Sequence, residues 1–587
     1  MFNKYYQDEL AFLRDMGKEF ARAHPDAAHF LVGHGSDPDV ERLLEGFAFL
    51  TGRIRQKLDD ELPEVTHMLM GLLWPHYLRP IPSMSILKFE PIPNILSDHR
   101  KIPRDTEVDS LPVEGTTCRF RTCYDVDIYP LSLKEVVLET PTARHPRLRL
   151  RFNLSKGVKL ANIHLDRLRL YLHGESVVSY TLYLYLCRYV KKVMLGSVPE
   201  REPGQEIILN PAVLQPAGFH EEEALLPYPR NSFKGYRFLQ EYFALAHKFL
   251  FIDIKELSRL TELDIEDTFE IIFEFSKALD QSIRIEKENI LLNCTPVVNL
   301  FQHDSDPINV EHDKVEYRVR PAGADPQHYE IFSVDRVTGW EEGTSEERIY
   351  EPFYSFGHRY SSTENRNIFY RTRLHHAVVG DGTDTYISFV NEEEAGVMPP
   401  NETIGIKLTC TNRNLPRQLR IGEINIPTSA SPEYARFSNI TPVSASIAPP
   451  IGKDLHWRLI SHLSVNYQSL SNVDVLRNVL GLYNFQAIYD RQAARANELR
   501  LEGIVSVKIT PDEHLFRGAP IRGMSIEIEL QEENFAGEGD MYLFASILND
   551  FFALYTSLNS FSRLTVKGIQ YGEIYQWQPR IGQQVMF

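Results

Sequence analysis

The sequence has few cysteines, no excess of positive charge and no long hydrophobic run. Among 587 residues only five are cysteines, an odd number that does not form the dense, even framework of a small secreted domain. They are Cys118, Cys123, Cys187, Cys294 and Cys410. We therefore expect reduced thiols rather than disulfides.

Basic residues are outnumbered by acidic ones. The chain has 63 Lys and Arg against 80 Asp and Glu, a formal net charge of −17. This charge repels nucleic acid and anionic lipid surfaces, so we predict no nucleic-acid partner. No run of about 18 uncharged apolar residues occurs, and the first residues lack a basic region followed by an apolar stretch. We expect a cytoplasmic protein without direct membrane insertion.

The composition that is present is that of a folded chain. Hydrophobic residues make up 43% and charged residues 24%, as in soluble globular proteins. The length exceeds what one hydrophobic core normally serves, so several domains are expected.

The first 75 residues have the apolar spacing of helices. Apolar residues recur at three- and four-residue steps from Phe2 to Phe20. A second helix is predicted from Pro38 to Glu61, because Asp37 suits an N-cap and proline suits a first turn. It should stop near Pro63, where the backbone lacks an N–H. A third, short helix should end before Pro75.

From Pro80 onward the apolar period changes to two, which indicates half-buried strands. Alternation is clearest from Leu148 to Leu154 and from Leu168 to Leu172. Further strand-like runs lie at 118–128, 315–319, 385–390 and 404–408, and helices are predicted around 177–190, 236–245 and 265–277. The predicted fold class is α+β, with an N-terminal helical segment followed by a multi-domain, mostly antiparallel β architecture with helical insertions.

Composition suggests where the domains divide. The segment 421–450 holds five prolines and many small residues, which is typical of an extended, exposed linker. The predicted divisions are 1–80 (N-terminal helical segment), 81–250 (first α+β domain), 251–420 (mainly β domain), 421–450 (linker) and 451–587 (C-terminal α+β domain). Within the last domain we predict helix from 457 to 483, strands near 504–509 and 525–530, and an apolar helix over 542–554.

Motifs that carry chemistry are missing from the sequence. It contains no Gly-x-Ser-x-Gly, no phosphate loop, no Gly-x-Gly-x-x-Gly and no His-Glu-x-x-His. Cys118 and Cys123 are not spaced like a zinc ligand pair, which favours two packed small hydrophobes. We predict no catalytic residues, no metal and no cofactor.

Weaker patterns have simpler interpretations. His24, His29 and His34 recur every fifth residue, which spreads them around a helix. The Asp-Gly pair at 381–382 favours a turn between strands over a calcium loop. The acidic runs 221–223 and 392–394 are interpreted as solvated surface, and the aromatic-rich segment 238–251 as a buried helix-to-strand passage rather than a carbohydrate platform.

Several blocks, in order across almost the full length, carry a family resemblance. They are YYQDEL at 5–10, DPDVERLLEGFAFL at 37–50, WPHYLRP at 74–80, CRFRT at 118–122, LQEYF at 239–243, CTPVVNLF at 294–301, TNRNLP at 411–416 and WRLISHLSVN at 457–466. The chain thereby resembles the TssF family (also VasA or ImpG) of type VI secretion baseplate subunits. Ala246 departs from the proline expected at that position.

The resemblance implies a non-enzymatic structural subunit. Two TssF copies would embrace one TssG in a wedge, with TssK and TssE attached, and wedges would form a ring around the VgrG spike. No catalytic residues come with the resemblance. The residues alone leave open an alternative, a cytoplasmic multi-domain carbohydrate-active enzyme whose two carboxylates are brought together by folding.

The helix that begins at Pro38 is the predicted subunit interface. Its stripe of Leu43, Leu44, Phe47 and Ile54 is expected to pack against its own chain. At about 100° per residue, Phe49 lies outside that stripe, on the face that carries Gly46 and Arg53. We predict that Phe49, Gly46 and Arg53, together with Trp74, contact a partner subunit.

Overall fold

A computed structural model gives the fold. It describes residues 6–7, 9–14, 16, 38–93, 95–140, 145–197, 206–228, 235–280, 282–310, 314–323, 325–341, 347–353, 368–377, 382–391, 402–451, 458, 470–488, 491–516, 519–557 and 560–582. The chain divides into two compact units. One comprises Met1–Leu78 with Ile451–Ile460, and the other Arg79–Pro450 with Ser461–Phe587.

The first unit is helical in its described residues. Residues 6–7, 9–14 and 16 are helical, and helix α1 runs from Pro38 to Leu73. The prediction that this helix stops near Pro63 is wrong. A proline inside a helix removes one backbone hydrogen bond, and here the helix continues past it to join the predicted third helix.

Among its described residues, the second unit contains the strands and five further α-helices. The helices are α2 (Ser176–Leu184), α3 (Gly235–Ala244), α4 (Val473–Gly481), α5 (Arg491–Glu502) and α6 (Glu538–Tyr555). The strands are β1 (Met84–Pro91), β2 (Arg100–Ile102), β3 (Glu107–Val113), β4 (Thr116–Thr122), β5 (Val126–Ile128), β6 (Leu131–Glu139), β7 (Arg147–Leu154), β8 (Leu168–Leu172), β9 (Val190–Ser197), β10 (Glu206–Leu209), β11 (Leu214–Pro216), β12 (Phe251–Ile254), β13 (Thr268–Phe275), β14 (Ile290–Leu292), β15 (Cys294–Val298), β16 (Phe301–Asp304), β17 (Ile308–Val310), β18 (Tyr317–Arg318), β19 (Glu330–Glu341), β20 (Glu347–Pro352), β21 (Ile368–His376), β22 (Thr383–Asn391), β23 (Glu402–Thr411), β24 (Ala435–Asn439), β25 (Ile504–Phe516), β26 (Ala519–Leu530), β27 (Phe561–Gly568), β28 (Ile574–Gln576) and β29 (Arg580–Ile581).

In the described part of the chain these strands form six sheets with mostly antiparallel pairing. Their orders are β24-β1-β15-β4-β3, β10-β9-β13-β7-β6, β11-β12-β8-β14, β2-β5, β16-β23-β19-β20-β21-β22-β18 with β17 on β23, and β25-β26-β27-β28 with β29 on β27. The described pairs β20–β21 and β26–β27 are parallel. The α+β fold class with a mainly antiparallel β architecture is therefore confirmed.

Three of these sheets cross the division predicted at residue 250. β13 pairs with both β7 and β9, β12 pairs with β8, and β15 pairs with β1. The interpretation of 81–250 and 251–420 as separate successive domains is therefore wrong. Backbone hydrogen bonds between distant strands hold these ranges in common sheets.

The helix predicted around 265–277 is also wrong, because this segment forms β13. Seven of the eight residues of β13 are buried. A strand buried on both faces shows no alternation and reads as a continuous apolar run.

The segment 421–450 is not an exposed linker. Its strand β24 pairs with β1, placing Phe437 opposite Phe89. Ile424, Phe437 and Val443 are buried in one core with Phe89. The polar residues of the segment also bind the sheet, since the Thr441 hydroxyl accepts the Ile86 N–H at 2.9 Å.

The last sheet and helix α6 form the C-terminal part of the second unit. Fourteen of the eighteen residues of α6, Gly539 to Phe552, are buried. The predicted helix over 542–554 and the strands near 504–509 and 525–530 are confirmed as parts of α6, β25 and β26. Of the helix predicted over 457–483, residues 457, 459–469 lie outside the described residues, and α4 lies within it. Among the described residues, no helix is long and apolar enough to cross a membrane.

Candidate assembly surfaces

Helix α1 presents large apolar side chains to solvent. Leu43 is 74% exposed, Phe47 58%, Leu50 62% and Ile54 59%. A soluble helix normally turns such residues inward, so this face has the composition of one that binds another protein.

The four exposed residues have the spacing of a helix–helix contact. Leu43, Phe47, Leu50 and Ile54 follow one another at steps of four, three and four residues. At about 100° per residue they fall within a narrow arc, the stripe that packs in coiled coils and bundles. We call these four residues the α1 stripe.

The opposite side of α1 is the buried one. Ala48 is fully buried and Gly52 is buried, while Leu44 is half-buried. The prediction that Leu43, Phe47 and Ile54 pack against their own chain is therefore wrong. The small residues at 48 and 52 therefore lie on the buried side, and the larger side chains of the stripe lie on the open side.

The residues predicted to contact a partner are placed as follows. Phe49 is 48% exposed, and Gly46 and Arg53 are exposed. Trp74 is half-buried, and its backbone N–H donates to the Met70 carbonyl at 2.7 Å where α1 ends. Their role as an interface remains a prediction. Leu50 was missed, although the four-three-four spacing was visible in the sequence.

The C-terminal end of α1 is followed by a buried tyrosine that is hydrogen-bonded within the helical unit. Tyr77 is fully buried, and its hydroxyl accepts a hydrogen bond from Arg458 Nη1 at 2.9 Å. Burial raises the pKa of Tyr77 to about 12, with Arg458 opposing the rise, so the hydroxyl is neutral.

The second unit contains a cluster of buried charged side chains. The alternative of a carbohydrate-active enzyme would need two of its carboxylates at such a site. Lys248 and Glu241 form an ion pair in which both side chains are fully buried. Arg169 on β8 binds Asp253 on β12 at 2.6 Å and also binds Glu223. These charges are paired with one another rather than directed into an open cleft.

The cluster holds the loop that precedes α3. Glu241 accepts the Leu225 N–H at 2.8 Å, and Glu223 accepts the Gly218 N–H at 2.7 Å. Lys248 Nζ donates to the Glu223 carbonyl at 3.1 Å. Burial opposes ionisation of Glu223, but Arg169 and the Gly218 N–H outweigh it and lower its pKa. The arrangement fixes a backbone segment in place.

Glu223 corrects one sequence interpretation. The run 221–223 was expected to be solvated surface, yet Glu223 is only 7% exposed. The basic companion that the run lacks in sequence is Arg169, 54 residues away. The aromatic-rich segment 238–251 is, as predicted, a buried passage from α3 into β12.

The remaining candidate sites are structural or lie outside the described part of the chain. Cys118 and Cys123 are buried free thiols, and burial raises their pKa to about 11 and about 12. The turn predicted at 381–382 falls between β21 and β22, which pair antiparallel, and Asp381 lies outside the described residues. His24, His29, His34 and the run 392–394 lie outside the described residues. Within the described residues, no group of three or more His, Cys, Asp or Glu side chains is placed to hold a metal.

Known proteins match this chain over almost its whole length. The family model for "Type VI secretion system, TssF" matches residues 1–584. The type VI secretion system component TssF1 of Pseudomonas aeruginosa is 31% identical over an alignment of 635 residues, covering 99% of this chain and 98% of the relative.

Two solved structures are similar to the chain. A chain of a TssK-TssF-TssG baseplate subcomplex, determined by cryo-electron microscopy, matches with a TM-score of 0.77 and 32% identity, covering 92% of this chain and 98% of that one. A chain of a type VI secretion baseplate complex matches with a TM-score of 0.65 and 31% identity over 100% of both chains.

An open apolar helix stripe in one unit, and a β-rich second unit whose buried charges hold its own backbone, are typical of a structural subunit of a protein assembly. The family match and the full-length relative specify which assembly. The chain belongs to the TssF family of type VI secretion baseplate proteins.

Proposed function

We propose that the chain is a non-enzymatic structural subunit of a type VI secretion baseplate that binds TssG and TssK in the cytoplasm. The structural match to a TssK-TssF-TssG subcomplex supports these two partners. We further propose a second copy of the chain, TssE and the VgrG spike as neighbours within the assembled baseplate.

The observation that carries this proposal is the α1 stripe. Four large side chains, each more than half exposed, lie on one arc of a 36-residue helix. Transferring such side chains from water to a protein interface contributes about 1.5–3 kcal/mol each before the costs of association. We propose that this stripe packs against helices of TssG or a second copy, and that Phe49 extends the contact.

The test is a charge placed on the stripe. Phe47→Asp should leave the melting temperature of the isolated chain nearly unchanged, because Phe47 is 58% exposed. It should weaken co-purification with TssG at least tenfold, since an interface aromatic often contributes about 2 kcal/mol or more. Phe49→Asp tests the extended contact in the same way.

Ala48→Asp is the matched control. Ala48 is adjacent and fully buried, so a charge there should unfold the helical unit instead. Unchanged recovery of TssG with Phe47→Asp would show that the stripe does not bind it.

A further inference from the structure

The turn between β27 and β28 is held by a buried carboxylate. Glu532 is only 7% exposed, and it accepts the backbone N–H of Gln570 at 2.9 Å and that of Tyr571 at 3.0 Å. Burial opposes ionisation of Glu532, but these N–H groups outweigh it and lower its pKa. A buried, ionised side chain therefore fixes the backbone of an exposed turn.

Two further anchors fix the same turn. The Gly568 N–H donates to the Glu573 carbonyl at 3.0 Å, and the Glu573 carboxylate binds Lys277 at 2.9 Å. A Cβ at Gly568 would lie 2.1 Å from Glu532 Oε1, so the close approach of this carboxylate requires glycine. The turn is rigid on both sides.

This rigid turn displays apolar side chains rather than polar ones. Tyr571 is 78% exposed, Ile574 52% and Ile569 46%. Single exposed apolar residues are common, but three within six residues, on a backbone held in place, resemble a binding anchor. A fixed backbone lowers the conformational entropy lost on binding.

The charge around the turn restricts what it binds. Glu532 is bound by backbone N–H groups and Glu533 by the Gln570 amide, so these contacts neutralise neither carboxylate. Lys277 is shared between Glu573 and Glu538, so carboxylates outnumber cations among these groups. Such a surface repels nucleic acid, anionic lipid and a second copy of a chain whose net charge is −17. It attracts a protein pocket rimmed by Lys or Arg.

We propose that the turn 569–574 is a docking knob that inserts Tyr571 into an apolar, basic-rimmed pocket on a different protein subunit of the same assembly. This inference rests on the proposed function as an assembly subunit. It assigns a second binding surface, on the C-terminal sheet, apart from the α1 stripe.

The experiment uses the full chain with its purified TssG and TssK counterparts. A photo-cross-linking amino acid at position 571 should cross-link to TssG or TssK. Tyr571→Ser should weaken assembly about tenfold or more at unchanged melting temperature, whereas Tyr571→Phe should weaken it less than about threefold. Added salt should weaken the wild-type complex, because it screens the attraction between the acidic turn and a basic rim.

Leu515→Ser is the matched control, because Leu515 is 70% exposed on a different hairpin, and it should assemble like the wild type. A cross-link only to a second copy, or no cross-link, would overturn the proposal. Equal assembly of Tyr571→Ser and wild type would also overturn it. In each of these outcomes the wild-type chain still forms its complex, so the proposed function stands. If the wild-type chain formed no complex at all, the proposed function itself would be rejected.

Discussion

Buried charged side chains in the second unit each hold a particular backbone segment or strand. Lys248 and Glu241 bind the loop before α3, and Glu532 binds the turn after β27. Asp550 on α6 binds Arg580 on β29. Sequence reasoning found none of these pairs, since the partners are separated by 7 to 39 residues and nothing in composition links them.

Removing Lys248 should destabilise the second unit strongly. Lys248→Met leaves the fully buried Glu241 side chain without its cation, which should lower the free energy of unfolding by about 3–5 kcal/mol. Thermal unfolding of the two chains measures the loss. Lys407→Met, at an exposed position on β23, is the control and should melt like the wild type. A melting temperature for Lys248→Met within a degree of wild type would contradict this account of the pair.

Asp550 should make stability depend on pH. Burial raises its pKa from 3.8 to about 6, although Arg580 opposes the rise. Between about pH 4 and pH 6 the folded chain then binds more protons at this site than the unfolded chain, so this group's contribution to stability falls as pH rises. Through this group the free energy of unfolding of the wild type should fall by about 2–3 kcal/mol across that interval, and in Asp550→Asn this fall should be absent.

The readout is the difference between the two melting curves as a function of pH, because other carboxylates titrate in both chains. Parallel pH profiles for Asp550→Asn and wild type would show that Asp550 is not the group responsible.

Whether sequence periodicity found an element depended on how that element is buried. Half-buried and buried residues alternate along β7, which was predicted as a strand, whereas β13 is buried on both faces and was predicted as a helix. Two predictions that rested on proline were wrong, namely the end of the helix at Pro63 and the linker at 421–450. Pro63 lies inside α1, and the prolines of 421–450 lie in a segment that is packed against β1.

Strand β24 should contribute to stability although its surroundings have the composition of a linker. Phe437 is 7% exposed, with its ring centroid 5.7 Å from that of Phe89. Phe437→Ala should lower the free energy of unfolding by about 3–5 kcal/mol, because it leaves a cavity in the core. Arg436→Ala, at the exposed neighbour, should cost little. Denaturant unfolding compares the two, and equal midpoints would restore the linker interpretation.

Limited proteolysis tests the same element without a mutation. Since the backbone of 421–450 is hydrogen-bonded to β1 and to the loop at Ile81, early cleavage should fall outside this segment. Early cuts within 421–450 would contradict the packing described for it.

At the scale of the whole molecule, the sheets join residues that are distant in sequence. The sheet β24-β1-β15-β4-β3 spans residues 84 to 439, and no local pattern predicts such pairings. The fold class followed from the periodicity, but the assembly role came from the family resemblance. Leu43, Phe47 and Ile54 were recognised as part of one apolar face, but the predicted orientation of that face was wrong because burial of Ala48 and Gly52 depends on tertiary packing.

The central claim is that the chain is a structural subunit that assembles through α1. The mass of the complex between this chain and TssG tests that claim most directly. The purified 67.8 kDa chain is mixed with purified TssG and weighed by mass photometry, beside the Phe47→Asp variant. We predict a species heavier than the chain that contains TssG for the wild type, and the unassembled chain for the variant. A wild-type chain that stays at its own mass in the presence of TssG would contradict the account.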